Sequence, residues 1–234
     1  MRTVIALQAR LQSKRLPSKV LLDLAGRPML SQLHRRMMAV FGATVRVACP
    51  ASDAEAIKRA TNLIPVEGPE EDVLTRMLNV LDATGAEVLV RVTADCPIMP
   101  PDLIYHGLKE YGRTGRVVQN WRPRCHPDGF DFDIWPSGIL RNLGETLEGP
   151  DREWFAQAYL DARGESLHIG GNPQLARLRL TVDHQEDLDL MRALYEEQGE
   201  DIWQANRIIE WCMRNPKLMR SNQMHVKNFG ARPT

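Results

Sequence analysis

Short runs of apolar and β-branched residues alternate along the chain with longer segments whose apolar residues recur at helical spacing. The runs that predict strands are 3–9, 44–50, 87–94, 116–120 and 177–183. Several are apolar almost throughout, as expected for strands covered on both faces. The segments that predict helices are 28–41, 54–60, 69–85, 100–112, 151–164, 184–199 and 201–215. Strands alternating with helices form βαβ units, so the pattern predicts a single α/β domain with a mainly parallel sheet between helices.

Two regions depart from this alternation. In 120–136, prolines, aromatic residues and the alternating run "GFDFDIW" predict a loop and a strand outside the regular order. Residues 216–234 are polar and unpatterned, which predicts a C-terminal tail, either mobile or packed on a partner. The expected organisation is therefore one domain over 1–215 with an insertion at about 120–150, followed by the tail.

The composition excludes several classes of function. The 234 residues include 30 basic and 30 acidic side chains, and a net charge of zero argues against bulk electrostatic binding to nucleic acid or to an anionic membrane. No apolar run approaches the roughly 20 residues that span a bilayer. The N-terminus enters a strand-like run without a cleavage site, and the four cysteines are scattered. We therefore expect a cytoplasmic protein with reduced thiols.

The segment "LQARLQSKRLPSK" (7–19) concentrates positive charge behind the first predicted strand. It contains Arg10, Lys14, Arg15 and Lys19 and no acidic residue. Open α/β sheets bind ligands beyond the carboxyl ends of their strands, where arginine forks, a lysine, the Ser13 hydroxyl and backbone N–H groups could surround an oligophosphate. The spacing matches neither GxxxxGK[ST] nor GxGxxG. A solvated basic loop is the alternative.

Two aspartates follow predicted strands. Asp95 comes after 87–94, and Asp183 ends the run 177–183. Magnesium is commonly held by one or two carboxylates together with substrate phosphates and water, so this pair suits a metal-bound triphosphate. The alternative is that Asp95 is a turn residue before Pro97 and Asp183 a helix N-cap.

Several motifs match one enzyme family. "ARLQSKRLPSKVLLDLAGRPML" resembles the signature of the cytidylyltransferases that make CMP-activated sugars, such as the acylneuraminate and CMP-Kdo synthetases. The glutamine at position 8 resembles more specifically the spore-coat polysaccharide branch of this family. "RVTADCPIMPPDLI" and "RLTVDHQEDL" resemble the family motifs whose aspartates bind the metal. The resemblance covers about residues 3 to 195.

This resemblance implies a nucleotide-diphospho-sugar transferase fold and a magnesium-dependent reaction, with manganese as a possible substitute. CTP and an acidic sugar or related surface-polysaccharide precursor would give a CMP-linked product and pyrophosphate. Lys19, Arg10 and Arg15 would be catalytic, and Asp95 and Asp183 would bind the metal. The residues implied in nucleotide binding are Leu7, Gln8, Ala9, Arg10, Ser13, Arg15, Lys19, Arg76, Thr93, Ala94 and Asp95. For Arg76, a simple helix-surface pair with Asp72 at i and i+4 is the alternative.

The residues implied in binding the acceptor are supported by weaker sequence matches. "HPDGFDFDIW" looks like the spore-coat branch and implies Asp128, Asp131 and Asp133 as acceptor-binding residues. "DREWF" (151–155) matches a nearby Arg-Glu position of that branch and adds Arg152 and Glu153. Asp131 and Asp133 share a strand face at i and i+2, so a polar face over solvent remains the alternative. Where that branch commonly continues with His-Val, this chain has Trp-Phe at 154–155, which leaves the identity of the acceptor open.

Three further alternatives remain. An enzyme using another nucleoside triphosphate would share this loop. A nucleotide-binding regulatory or assembly module would share it without catalysis. The C-terminal run "WQANRIIEWCM" (203–213) predicts core packing or a contact within a homodimer.

Overall fold

The computed structural model describes residues 1–201 and 204–225, and its main element is one sheet. The strands are β1 (Thr3–Gln8), β2 (Asp23–Leu24), β3 (Arg27–Pro28), β4 (Val45–Pro50), β5 (Val66–Gly68), β6 (Val88–Thr93), β7 (Val117–Gln119), β8 (Phe132–Pro136) and β9 (Ser166–His168). Seven of them form a sheet in the order β5-β4-β1-β6-β8-β7-β9, and β2 and β3 form a separate hairpin. Within the large sheet only β8 runs against its neighbours, so the predicted mainly parallel sheet is confirmed.

Helices cover both faces of this sheet. They are α1 (Met29–Phe41), α2 (Ala54–Thr61), α3 (Val73–Thr84), α4 (Pro101–Thr114), α5 (Ser137–Thr146), α6 (Phe155–Asp161), α7 (Gln185–Gln198), α8 (Ala205–Arg214) and α9 (Pro216–Met219). Along β1, Ile5 and Leu7 pack in the core beneath α1, α4, α7 and α8, whereas Val4 and Ala6 pack against α3, α5 and α6. Both faces of β1 are therefore apolar, which explains its continuous hydrophobic run.

The predicted strand at 177–183 is wrong. Arg177 ends a 3-10 helix (Pro173–Arg177), and the residues after it form, within the described part of the chain, one bridge, which joins Arg179 to Asp128. The Leu180 N–H donates to the Asp128 carbonyl over 2.6 Å, and the Val182 N–H donates to the Asp95 carbonyl over 2.8 Å. The backbone partners of this segment lie in loops beyond strand ends, so no ladder forms. Leu180 and Val182 are fully buried. The apolar alternation therefore predicted correctly which side chains are buried, but it did not show that the segment lacks a neighbouring strand.

The C-terminal half differs from the sequence pattern in two further respects. The predicted helix over 151–164 is reduced to α6, and α5 was not predicted. The predicted tail folds back as α9 and a short 3-10 helix at Gln223–His225, with Met219 and Asn222 buried against the domain. The rest of the predicted tail, 226–234, lies outside the described residues.

The remaining expectations concern the end of the chain, the cysteines and membrane spans. Ile208 and Trp211 are buried, so core packing is confirmed for α8, whereas Trp203 lies outside the described residues. All four cysteines are free and buried. Among the described helices, none combines the length and the apolar character that crossing a membrane requires.

Candidate active site

The ends of β1 and β6 meet at the carboxyl edge of the sheet. The Ala94 N–H donates to the Gln8 carbonyl over 2.9 Å, which fixes the two strand ends together. The basic loop leaves β1 beyond Ala9, and Asp95 follows β6 in a turn. These two segments therefore reach the same point from neighbouring parallel strands, as expected at a ligand-binding edge.

Lys19 joins the two aspartates that the sequence singled out. Its Nζ lies 2.9 Å from Asp95 Oδ2 and 2.7 Å from Asp183 Oδ1. The Lys19 side chain is only 9% exposed, and those of Asp95 and Asp183 are 28% and 17% exposed. Asp95 and Asp183 lie 76 and 164 residues after Lys19 in the chain. Lys19 is thus a nearly buried cation between two carboxylates that still contact solvent.

The other charges of the basic loop lie nearer the surface. Arg15 Nη2 contacts Asp183 Oδ2 at 2.7 Å, and Arg10 Nη1 contacts Glu153 Oε1 at 3.4 Å. The Ser13 hydroxyl accepts from the Leu16 N–H over 3.4 Å. Arg10 and Arg15 remain about half exposed, so their guanidinium groups face both the carboxylates and the solvent where a ligand would enter.

These contacts set the charge states of the three central groups. Burial opposes ionisation of Asp183, but Lys19 and Arg15 outweigh it and hold the pKa of Asp183 well below its usual range. Burial opposes ionisation of Asp95 too, yet Lys19 lowers the pKa of Asp95. Burial disfavours the charge on Lys19, but Asp95 and Asp183 raise its pKa. All three groups are charged at neutral pH.

This donor set fits a divalent cation. Two ionised carboxylates from separate segments converge on one point, and the positive group that contacts both of them is the Lys19 ammonium. Magnesium prefers oxygen ligands and commonly takes one or two protein carboxylates, with phosphate and water completing its shell. Asp183 is not an N-cap, because His184 occupies that position at α7; Asp95 does lie in a turn, but its carboxylate faces Lys19.

Arg179 is a central residue that the sequence analysis missed. Its buried guanidinium donates to Asp187 Oδ1 and Oδ2, each over 2.9 Å, and lies 3.2 Å from both Asp128 Oδ2 and Asp183 Oδ2. Asp128 is buried, and burial raises its pKa despite Arg124 and Arg179 nearby. No sequence signal identifies these contacts, because the i and i+4 spacing of Arg179 and Asp183 brings side chains together on a helix and these residues are not helical.

The three aspartates among the acceptor candidates have different surroundings. Asp128 faces Arg179, and Asp131, just before β8, is held in a two-bond pair by Arg124 Nη1 and Nη2 over 2.8 and 2.7 Å. Burial raises the pKa of Asp131. Asp133 is fully buried and paired with Arg91, and it accepts from the Trp135 indole N–H over 2.6 Å. A polar face over solvent is therefore wrong for Asp133.

The structure assigns Arg152 and Arg76 internal contacts. Arg152 donates to Asp72 Oδ2 over 2.7 Å, to Thr75 Oγ1 over 2.9 Å and to two backbone carbonyls. Arg76 is buried and donates to the carbonyls of Pro69 and Glu70, each over 2.6 Å. The surface pair between Asp72 and Arg76 is therefore wrong. Arg76 thus holds the loop after β5 through hydrogen bonds to its backbone carbonyls.

The remaining nucleotide-binding candidates line the strand ends. Leu7 lies within β1 with its side chain in the core, and Ala9 and Ala94 are buried at the strand ends, where their N–H groups bond to neighbouring strands. Gln8 Oε1 accepts from Arg91 Nη1 over 3.2 Å, and Thr93 Oγ1 lies 3.3 Å from Cys96 Sγ. The structure thus brings Lys19, Arg15, Asp95 and Asp183 together and leaves Arg76 and Arg152 engaged elsewhere.

Comparison with known sequences agrees with this geometry. A family model described as cytidylyltransferase matches residues 4–117. The chain is 35% identical over 212 residues to 3-deoxy-manno-octulosonate cytidylyltransferase of Methylorubrum populi, covering 82% of this chain and 83% of that protein. It is 28% identical over 242 residues to the spore coat polysaccharide biosynthesis protein SpsF of Bacillus subtilis, covering 90% of this chain and 93% of that protein.

Solved structures share the fold. A cytidylyltransferase from Leptospira borgpetersenii aligns over all of both chains with a TM-score of 0.86 and 20% identity. A CMP:2-keto-3-deoxy-manno-octonic acid synthetase complexed with CTP aligns over 85% of this chain and 100% of its own, with a TM-score of 0.66 and 20% identity. The expected nucleotidyltransferase-type fold is confirmed.

Proposed function

The chain belongs to the cytidylyltransferase family, and from this premise we propose that it transfers a cytidylyl group from CTP to an acidic sugar or a related surface-polysaccharide precursor. The reaction forms a bond between an acceptor oxygen and the α-phosphorus of CTP and releases pyrophosphate. The observation that carries the proposal is the contact of Lys19 with Asp95 and Asp183, beside Arg15, at the edge of the sheet. The names of the relatives, a 3-deoxy-manno-octulosonate cytidylyltransferase and a spore coat polysaccharide biosynthesis protein, support the acceptor class.

In this proposal the cations of the basic loop stabilise charge on the triphosphate. Arg10 and Arg15 are exposed enough to turn from their carboxylate partners to phosphate oxygens, and a guanidinium matches phosphate with a planar fork. Lys19 is fixed by burial and provides a point charge near the departing pyrophosphate. Asp95 and Asp183 would hold Mg²⁺ or Mn²⁺. A bound Mg²⁺ supplies positive charge to phosphate oxygens.

We keep Asp131 and Glu153, whose side chains are partly exposed, as the acceptor-facing groups of the proposal. Asp128 and Asp131 lie on the turn before β8, and Glu153 contacts Arg10 of the basic loop. Arg152, Asp133 and Asp128 act indirectly, through the residues they contact, because their hydrogen-bonding groups are engaged inside the protein. Thr93 and Gln8 lie at the strand ends, where the nucleotide would bind.

The test has two stages. A thermal-shift screen with CTP, UTP, ATP and GTP, each with Mg²⁺, should give the largest stabilisation with CTP. Pyrophosphate release is then measured with CTP over a library of sugar acids and related acceptors, and a 2-keto sugar acid should give the fastest release. A larger shift with another triphosphate, followed by turnover, would indicate a different nucleotidyltransferase. Binding of CTP without turnover on any acceptor would favour a regulatory or assembly module.

Matched variants connect this test to the site. Lys19→Ala should lower turnover far more than CTP affinity, whereas Lys14→Ala, at an exposed position in the same loop, should change neither. Equal losses of turnover and CTP affinity in Lys19→Ala would instead show that Lys19 binds ground state and transition state alike.

A further inference from the structure

The C-terminal segment 216–225 lies directly behind the loop that presents Asp183. Asn222 is fully buried, and Met219 is 3% exposed. The His225 ring stacks on the His184 ring with centroids 3.6 Å apart and planes 3° from parallel. His184 is the residue after Asp183, so the segment contacts the back of the same loop whose front faces Lys19.

A continuous set of hydrogen bonds connects Asn222 to Asp183. Asn222 Nδ2 donates to Asp187 Oδ1 over 2.9 Å and to the Arg179 carbonyl over 3.0 Å. Asp187 Oδ2 accepts from the backbone N–H groups of Asp183 and His184, each over 2.9 Å. The Asp187 carboxylate therefore fixes the peptide that carries Asp183, and Asn222 fixes that carboxylate.

The amide orientation of Asn222 follows from its partners. Both atoms near Nδ2 are acceptors, a carboxylate oxygen and a carbonyl oxygen, so only the NH₂ group can face them. The other end of the amide, Oδ1, is buried without a hydrogen-bond partner among the described residues. A buried unpaired acceptor costs stability, and the two hydrogen bonds donated by Nδ2 offset that cost.

Arg179 provides a second connection between Asp187 and Asp183. It pairs with Asp187 and also reaches Asp183 Oδ2 at 3.2 Å. A shift of Asp187 would move both Arg179 and the 183–184 peptide, and with them the carboxylate that faces Lys19. Groups that orient a metal-binding carboxylate in this way affect metal affinity by about 10- to 100-fold when they are removed.

We propose that the C-terminal segment positions the metal-binding aspartate, with Asn222 acting through Asp187 and His225 acting through His184. This inference rests on the proposed function, since it takes Asp183 as a metal ligand. Asn222 and His225 contact neither nucleotide nor metal; they hold the loop in the geometry that both require. The segment that the sequence analysis treated as a tail thereby becomes part of the site.

The test compares Asn222→Ala with Asn215→Ala. Asn215 lies in the same part of the chain, and its Nδ2 donates to the Trp211 carbonyl over 3.1 Å, so this control removes an amide hydrogen bond remote from Asp187. Mn²⁺ binding in the presence of CTP is titrated by electron paramagnetic resonance. Asn222→Ala should weaken Mn²⁺ binding about tenfold. Asn215→Ala should leave it within about twofold of wild type, the ordinary effect of a change remote from the metal site.

Activity separates positioning from general damage. In Asn222→Ala the Mg²⁺ concentration for half-maximal pyrophosphate release should rise about tenfold, while kcat at saturating Mg²⁺ stays within about threefold of wild type. Should Asn222→Ala fail to fold, His225→Ala tests the other contact, with an expected rise of about threefold in the same two readouts. Metal affinity that is unchanged in the folded variant, or lowered equally in Asn215→Ala, overturns the inference.

The outcomes also separate this inference from the proposed function. Mn²⁺ binding that is weakened by Asn222→Ala, in a protein that releases no pyrophosphate, supports the positioning role and contradicts the proposed reaction. A wild-type protein that binds CTP but no Mn²⁺ overturns the positioning role together with the metal assignment. Full turnover with an unaltered metal requirement in Asn222→Ala contradicts the positioning role alone.

Discussion

Replacing Lys19 by methionine tests the centre of the site through stability as well as activity. The substitution keeps the apolar stem and removes the ammonium that contacts Asp95 and Asp183 at 2.9 and 2.7 Å. Removing one partner of a fully buried ion pair costs about 3–5 kcal/mol, because the other charge is left without compensation. Both aspartates are partly exposed and Arg15 still faces Asp183, so we expect a smaller loss, about 1–2 kcal/mol.

This loss should depend on the metal. For a chain of this length, about 1–2 kcal/mol corresponds to a fall in melting temperature of about 2–8 °C. That fall should appear in EDTA and diminish in millimolar Mg²⁺, since the two carboxylates left unpaired in Lys19→Met bind a cation without the competing ammonium of the wild type. Mg²⁺ should therefore raise the melting temperature of Lys19→Met more than that of wild type.

The assay is thermal unfolding of wild type, Lys19→Met and Lys14→Met, each in EDTA and in Mg²⁺. Lys14 lies in the same loop and is exposed, so its replacement controls for the loss of one positive charge. Turnover of Lys19→Met with CTP and acceptor should fall by about 10²-fold or more at saturating Mg²⁺. Equal melting temperatures for all three proteins in EDTA, with the same response to Mg²⁺, would refute the central position of Lys19.

Three other predictions follow from the same geometry. Asp95→Asn should abolish Mg²⁺-dependent pyrophosphate release in a protein that still melts cooperatively, and retained release would contradict the metal assignment. The pKa of Asp183 is lower in the folded than in the unfolded chain, so its ionised form stabilises the fold above about pH 4, and this contribution is lost as the pH falls through the folded value. The difference in unfolding free energy between wild type and Asp183→Asn, measured by urea denaturation, should therefore shrink from pH 5 to pH 3. Gly129 has φ +112°, and an added Cβ would lie 2.5 Å from the Leu180 carbonyl carbon, so Gly129→Ala should lower the unfolding free energy by about 3 kcal/mol or more. Gly138→Ala, where an added Cβ meets nothing within 4 Å, is its control and should stay within about 1 kcal/mol of wild type.

Local periodicity was enough to predict the parallel sheet, because the buried faces of each central strand and of the helix after it determine the spacing of apolar residues within a short segment. It failed at 177–183, where the buried residues 179–182 form hydrogen bonds with loops beyond the strand ends instead of joining a ladder. It also missed α5 and the packing of 216–225 on the domain. Apolar spacing measures whether a residue is covered, and it cannot say which element covers it.

The same limit applies to the charges of the site. Strand ends and motif spacing singled out Lys19, Asp95 and Asp183, and these three meet in the structure. Arg179 and Arg91 went unnoticed, since their partners Asp128 and Asp133 lie 51 and 42 residues away. A single sequence shows arginines of this kind as ordinary surface charges, and only the tertiary fold shows that they are buried and paired.

The pairing of the basic loop also explains how a protein of zero net charge carries such a concentrated positive segment. Arg10 faces Glu153, Arg15 faces Asp183, and Lys19 faces both aspartates, so the three charges are neutralised by carboxylates from elsewhere in the chain. The pairs of Arg10 and Arg15 involve half-exposed guanidinium groups, and such pairs contribute only about 0–1 kcal/mol each. A phosphate oxygen can replace those partners at little cost in stability. Lys19 is nearly buried and paired twice, so exchanging its partners costs more, and a cation bound by Asp95 and Asp183 must share these carboxylates with the Lys19 ammonium.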